Sequence, residues 1–368
     1  MIPVAEPMFD DNELKNVVKA IKSGWISSKG EFVKEFEVNF SKYVGAKYGV
    51  ATMNGTAALH LALRALDIKT GDEVVVPDLG FIATANTVAY CNAKPIFVDS
   101  HPEYWCLDPD KIEESITTKT KAIIPVHLYG HPCDMDIIME LAERHNLFVI
   151  EDAAEAHGAK YKGKIVGALG DINCFSFFAN KIITTGEGGM CLTDSEELYE
   201  KMKILRDHGM NPDKRYWHDF LGFNYRMTNL QAAVGVAQLD KIDKYLEKKR
   251  LIAKWYKEGF QELEEQGYIT LHPELPWAKC IYWMYSILIN DNSKIRRDQF
   301  IEKLKKKGID SRPFFYPAHV LPMYKFNTKN LKNAEDISSK GVNLPSSPIL
   351  EKNQIDFIVK KIKELINT

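Results

Sequence analysis

A short apolar, β-branched run, then a turn, then a segment of helical spacing recurs along this chain, and that alternation confines it to the α/β class. Residues 48–52 read as a strand ahead of the helical AALHLALRAL. Residues 73–76 and 95–98 bracket another helix, and 121–126 lead into a helix over about 134–145, followed by a strand at 147–150. In that helix Met135, Ile138, Leu141, Ala142 and His145 fall at three- and four-residue steps, so one face packs on the sheet and the other meets water. From about 225 to 260 the pattern is long, helical and rich in Lys and Glu. Beyond it the strand-like WMYSILI and the helical RRDQFIEKLKKKG predict a separate unit. The expected division falls near Asp243, with a large domain over 1–243 and a smaller C-terminal one over 244–368. No internal repeat and no low-complexity stretch interrupts the rhythm.

Composition narrows the partners. The chain has 368 residues, 45% hydrophobic and 27% charged, enough for two domains with substantial cores. Its formal net charge is −2 and its basic residues do not cluster, which argues against nucleic acid or a membrane surface and for a small-molecule partner. The start, MIPVAEPMFDDNE, lacks the basic and apolar regions of a signal peptide, and no apolar stretch reaches membrane-spanning length, so a cytoplasmic location is expected. Cys91, Cys106, Cys133, Cys174, Cys191 and Cys280 form no C-x-x-C pair, which fits reduced thiols better than disulfides or a zinc ribbon.

Three segments carry candidate chemistry. In MNGTAALHLALRAL a strand ends at Thr52 and a helix begins around Thr56, so N–H groups at Gly55 and Thr56 offer a phosphate site at a helix N-terminus; alone, a capped helix without a ligand explains them as well. In LFVIEDAAEAHGA an apolar strand delivers Glu151 and Asp152 at its carboxyl end, the edge where open α/β sheets bind ligands. Asp152 can pair with a protonated ring nitrogen, as a pyridoxal cofactor requires, or serve as a plain N-cap. Alternation along the strand sends Glu151 to the opposite face, a structural role. In GDINCFSFFANKIITTGEGGM a single Lys181 stands among Phe177, Phe178, Ile182 and Ile183. Desolvation there would lower its pKa toward the neutral amine that forms a Schiff base; a surface lysine is the plainer alternative. Gly186, Glu187, Gly188 and Gly189 predict a special backbone path beside it.

Other motifs fall away. GAKYKGKI resembles a phosphate loop, but Ile165 replaces the magnesium-binding hydroxyl. His127, His131 and Cys133 suggest metal ligands, yet Gly130 and Pro132 forbid the aligning helix and no fourth ligand is evident, so no metal is expected. GEGG precedes a strand rather than following one, unlike a dinucleotide fingerprint.

In this order, the phosphate turn, the strand-end Asp and the aromatic-flanked Lys before GEGG resemble the DegT/DnrJ/EryC1/StrS family of sugar aminotransferases. GWISSKGEFVKEFE, NGTAALHLAL, EDAAEAHGA, FSFFANKIITTGEGG, NYRMTNLQAA and SRPFFYPAH carry the likeness across nearly the whole chain. The resemblance implies an aspartate-aminotransferase-like fold (fold type I), a mixed, mostly parallel sheet with a smaller C-terminal α+β domain, and pyridoxal 5'-phosphate as cofactor. It implies that Lys181 carries the cofactor and moves the proton, that Asp152 holds the pyridine nitrogen, and that Phe81 covers the ring. Gly55, Thr56 and Ser176 would hold the phosphate, Glu155 would lie near the ring hydroxyl, and Asn224 would reach the phosphate in the neighbouring subunit of a homodimer with shared active sites. Gly80 departs from the Thr that many relatives carry there, which removes a polar contact but not the stacking of Phe81. KRYWHD, NYRMTN and RPFFYPAHVLPMY imply a GDP-linked 4-keto-6-deoxymannose aminated at C4 with L-glutamate as donor; a UDP- or dTDP-linked 4-keto sugar is the alternative, and a silent regulator a remoter one. A related dehydratase carries His where this chain has Lys181. Arg312 and His319 lie in the stretch expected to meet the nucleotide-linked keto sugar, Arg312 through a guanidinium fork suited to a diphosphate or in a structural ion pair.

Overall fold

Strands of the main sheet bury both faces, which is why their sequences read as unbroken apolar runs rather than as half-polar alternation. The computed structural model describes residues 1–325 and 331–366. Helices α1 (Asp11–Ser23) and α2 (Glu31–Val44) precede β1 (Tyr48–Thr52) and α3 (Gly55–Ala65). Then come β2 (Glu73–Pro77), α4 (Ala83–Tyr90), β3 (Lys94–Val98), β4 (Thr120–Ile123), α5 (Met135–His145) and β5 (Phe148–Asp152). A hairpin of β6 (Lys160–Tyr161) and β7 (Lys164–Ile165) leads to β8 (Ile172–Ser176), β9 (Gly189–Thr193) and α6 (Glu196–Arg206). The sheet runs β1-β9-β8-β5-β4-β2-β3, and β9 alone opposes its neighbours. Val75, Ile123, Val149 and Phe175 pack into the core on one face, and Val74, Val76, Ala122, Ile150 and Cys174 into the core on the other.

Two expected boundaries move. The strand read over 121–126 ends at Ile123, because Pro125 has no N–H to give the ladder. The strand read over 147–150 runs on to Asp152. The pattern over 225–260 is two helices, α7 (Asn229–Leu239) and α8 (Ile242–Glu265). Thr228 starts α7 with a capping box, its hydroxyl taking the Gln231 N–H while the Gln231 side chain accepts from Thr228 N. Lys241 leaves helical geometry between them and pairs with Asp10 and Glu13 of the N-terminal segment.

Beyond α8 come β10 (Ile269–Leu271), β11 (Ala278–Lys279), β12 (Tyr285–Ile289), α9 (Arg297–Lys306), β13 (Arg312–Pro313), α10 (Lys332–Lys340), β14 (Gly341–Leu344) and α11 (Lys352–Ile366). Strands β10-β12-β14-β13 form an antiparallel sheet whose core joins Ile252, Tyr256 and Phe260 of α8 to Ile287, Val342, Ile358 and Ile362. Strand β11 pairs instead with β6. No helix among the described residues is long and apolar enough to cross a membrane.

Lys249 of α8 is buried where these layers meet. Its Nζ lies within hydrogen-bond distance of Trp283 O (2.7 Å), Ser346 O (2.6 Å) and Ser346 Oγ (3.0 Å), all neutral groups. Burial pushes its pKa down to about 7 from 10.5. Between those values the unfolded chain binds a proton that the native state lacks, so stability rises with pH across the window and the contribution is lost as pH falls toward 7. Urea unfolding at steps from pH 7 to 10 should therefore show wild type gaining on Lys249→Met with pH, by about 3–4 kcal/mol across the three pH units, since each tenfold change in proton affinity is worth about 1.4 kcal/mol. A difference that stays flat would contradict a depressed Lys249.

Candidate active site

The carboxyl ends of the parallel strands share one edge, and a cavity of about 570 Å³ opens there. At the end of β1 the Asn54 side chain caps α3, accepting from Ala57 N at 2.8 Å. The N–H groups of Gly55 and Thr56 have no acceptor among the described residues, and both residues line the cavity. Glycine is required at two nearby positions. A Cβ on Gly55 would sit 2.7 Å from Ser176 Cβ, and one on Gly189 would sit 2.4 Å from Asn54 O. Bare backbone at both lets the helix start pack on the ends of β8 and β9, which puts Ser176 beside it.

Strand β5 delivers two buried carboxylates to opposite faces, as its alternation requires. Glu151 faces away from the cavity and accepts from the N–H groups of Gly167, Leu169 and Gly170 and contacts His127 Nε2 at 2.9 Å. Asp152 faces the cavity, where Thr84 Oγ1 donates to Oδ2 at 2.7 Å and Ala154 N to Oδ1 at 3.2 Å. Burial raises the Asp152 pKa, while the Thr84 and Ala154 bonds and the Lys181 charge oppose the rise.

Lys181 follows β8 with a tenth of its side chain exposed. Its Nζ lies 3.8 Å from Glu155 Oε1 and 3.7 Å from the centre of the Trp283 ring. Burial lowers the Lys181 pKa, against the pull of Glu155 and Asp152. Burial also pushes Glu155 up to about 7, although Lys181 and a bond from Tyr129 N (2.9 Å) hold it down. That bond is made by a strained residue: Tyr129 has φ +51°, a left-handed conformation costing about 1–2 kcal/mol in a side-chain-bearing residue. Packing of the Tyr129 ring on Phe314, Phe315 and Trp283 offsets the strain. The expected apolar neighbours of Lys181 need correction. Phe177, Ile182 and Ile183 are buried in the core, Phe178 is exposed, and the desolvating wall is Trp283, a hundred residues downstream. Trp283 Nε1 donates to Asn180 O at 2.8 Å, which fixes the ring beside the lysine.

Of the residues singled out in the sequence, Gly55, Thr56, Phe81, Asp152, Glu155, Ser176, Lys181 and Arg312 all line this cavity. Phe81 is more than half exposed and meets Phe315 edge-on at 5.7 Å. Arg312 of β13 has no carboxylate partner among the described residues, which leaves its fork open to the cavity. His319 is not in the lining: its Nδ1 sits 2.6 Å from Asp78 Oδ2 and its Nε2 3.0 Å from Glu335 Oε1, so both nitrogens are occupied. Asn224 is exposed outside the cavity, its Oδ1 accepting from Arg226 Nε at 3.0 Å. Thr84, Tyr129, Asn180, Trp283 and Asn343 escaped sequence reading. Only the position of Asn180 next to Lys181 offered a signal.

The discarded motifs have structural duties. GAKYKGKI supplies the β6–β7 hairpin, turning at Gly163 with φ +85°. His127 Nδ1 accepts from Cys133 N at 3.0 Å, and His131 stacks on Tyr104. Gly186 turns with φ +83° ahead of β9.

Comparison with known proteins agrees with this arrangement. The chain is 48% identical to the GDP-perosamine synthase of Caulobacter vibrioides over 99% of this chain and 98% of that one. It is 47% identical to the GDP-perosamine synthase of Escherichia coli O157:H7, with the same coverage. The PLP-form of Spr1654 from Streptococcus pneumoniae superposes with a TM-score of 0.93 at 29% identity, covering 100% of this chain and 98% of that one. Residues 7–363 match the DegT/DnrJ/EryC1/StrS aminotransferase family, and the chain belongs to that family.

Proposed function

We propose that this enzyme is a pyridoxal-phosphate-dependent aminotransferase that moves an amino group from L-glutamate to C4 of GDP-4-keto-6-deoxymannose, giving GDP-perosamine. The observation that carries the reading is the meeting of Lys181, Asp152 and the open N-terminus of α3 in one cavity, in a chain nearly half identical over its length to two GDP-perosamine synthases. The residues present fit the cofactor. Unpaired N–H groups at Gly55 and Thr56, with the Ser176 hydroxyl beside them, suit a phosphate dianion, and a buried carboxylate at Asp152 suits a protonated ring nitrogen. When bound through the amine of Lys181, pyridoxal phosphate supplies the electron sink that makes the substrate's C–H bond acidic.

The chain's own groups do the rest. Lys181 Nζ anchors the cofactor and holds and moves the proton at the reacting carbon in both half-reactions, as glutamate leaves as 2-oxoglutarate and the keto sugar gains the amino group. Its lowered pKa makes the neutral amine accessible, as an anchor and a base both require. Asp152 keeps the ring nitrogen protonated, and the Thr84 bond favours the ionised form of Asp152 and orients it. Phe81 covers the ring, and Glu155 lies by its hydroxyl. Arg312 receives the diphosphate with its free guanidinium. His319 serves one step removed, tying the segment after Arg312 to Asp78 at the end of β2.

Asn224 completes the partner's site in a homodimer. The reading is supported by its exposure outside this chain's cavity and by the exposed Tyr216, Trp217, Phe220 and Leu221 nearby in sequence, apolar surface that a second copy would cover. A division near Asp243 into a large and a small domain goes with the same reading, and six buried free cysteines fit the reducing cytoplasm.

Lys181→Ala should abolish turnover, a loss beyond the roughly 10²–10⁴-fold of positioned proton transfer, with circular dichroism and the unfolding midpoint preserved. Asp152→Asn should cut kcat more than about tenfold while the unfolding free energy changes by about 1 kcal/mol or less; near wild-type activity would remove Asp152 from the mechanism. Mass spectrometry of products from GDP-4-keto-6-deoxymannose and from the dTDP- and UDP-linked 4-keto-6-deoxyglucoses, each with glutamate, should show amination of the GDP sugar. Amination of only a dTDP or UDP sugar would keep the mechanism and overturn the substrate.

A further inference from the structure

We propose that Trp283 is a further residue of the catalytic centre, its indole face holding the amine of Lys181, and that Lys249 is the positioning residue that locks the indole there. This rests on Lys181 being the reacting amine, as proposed above. Trp283 is nearly buried and is fixed at three points. Its Nε1 donates to Asn180 O at 2.8 Å, its own carbonyl accepts from Lys249 Nζ at 2.7 Å, and its ring stacks on Tyr129. The ring cannot turn from Lys181 without giving up the Nε1 bond and the stacking, and the backbone that carries it is held by Lys249.

An aromatic face suits an amine that must both hold and release a proton. It attracts the ammonium through its quadrupole but cannot accept the proton or form an ion pair. A second carboxylate at the same distance would favour the charged form far more strongly. The groups acting on Lys181 are Glu155 and Asp152, which favour its charge, with His157 nearby and Glu187 and Arg312 on the cavity walls. Trp283 adds a weaker attraction that trims the burial penalty.

Lys249 is otherwise hard to explain. A buried lysine without a counter-ion is costly to charge, and its partners are the Trp283 carbonyl and Ser346, with Cys280 and His272 the titratable groups around it. Its contacts join α8 to the residue that faces the reacting lysine and to the segment after β14.

The test replaces Trp283 by mono-, di- and trifluorotryptophan, which weaken the quadrupole with little change of shape. The pKa of Lys181 is then read by competitive acetylation and peptide mass spectrometry in the full chain loaded with pyridoxamine phosphate, in which Lys181 is free. Stepwise fluorination should lower that pKa by about 1 overall, equivalent to about 1.4 kcal/mol. The slope should flatten in Lys249→Met, or in Lys249→Gln, which keeps a donor, if the first does not fold. A pKa insensitive to fluorination would reduce Trp283 to a wall, and an unchanged slope in the Lys249 variant would remove its positioning role. Turnover by wild type is measured alongside: its absence would defeat the aminotransferase reading itself, whereas turnover with an insensitive pKa would defeat only this inference.

Discussion

Lys181 Nζ rests between the Trp283 ring and Glu155 with little water around it, so burial and charge act on its proton in opposite directions. Burial alone would leave a neutral amine, and the carboxylates alone a permanent ammonium. Either extreme would disable the amine in the role proposed for it, as nucleophile, base and acid in turn. Glu155, pushed up to about 7, and Asp152, also raised by burial, feel the same opposition from the other side. Each of the three thus acts on the proton affinity of another through its charge.

The fold is arranged to bring this trio together at one edge of the sheet. Parallel strands bring Asp152 and Ser176 to one edge, and α3 begins there because Gly55 and Gly189 leave room for backbone to approach. Glu151 spends its carboxylate on three backbone N–H groups of the 167–170 turn, which steadies β5 directly behind Asp152. Tyr129 accepts a left-handed backbone so that its N–H can reach Glu155, and the ring packing that offsets the strain includes Trp283. Site and core are thus coupled through the same few side chains.

What the sequence made legible was local. Strand, turn and helix follow one another within a dozen residues at Gly55 and Thr56, and alternation along one strand separates the role of Glu151 from that of Asp152. The desolvation of Lys181 is legible from its apolar sequence neighbours, of which Phe178 lines the same cavity, but the ring over its amine belongs to Trp283, which no periodicity ties to position 181. The partners of His319 are hidden from the sequence for a similar reason. A histidine in the same stretch as Arg312 looks like a ligand, but Asp78, far away in the chain, and Glu335 of the following helix take both its nitrogens. The break between α7 and α8 was hidden because Lys241 continues the charged helical pattern while its partners lie near the N-terminus.

The central claim is that Lys181, and no other lysine, receives the cofactor. Stoichiometric pyridoxal phosphate added to the full chain, reduction with borohydride and peptide mass spectrometry would test it directly. The account predicts one phosphopyridoxyl group per chain on Lys181, lost when excess glutamate is added before reduction. A label on Lys249 or a surface lysine, or none at all, would contradict it.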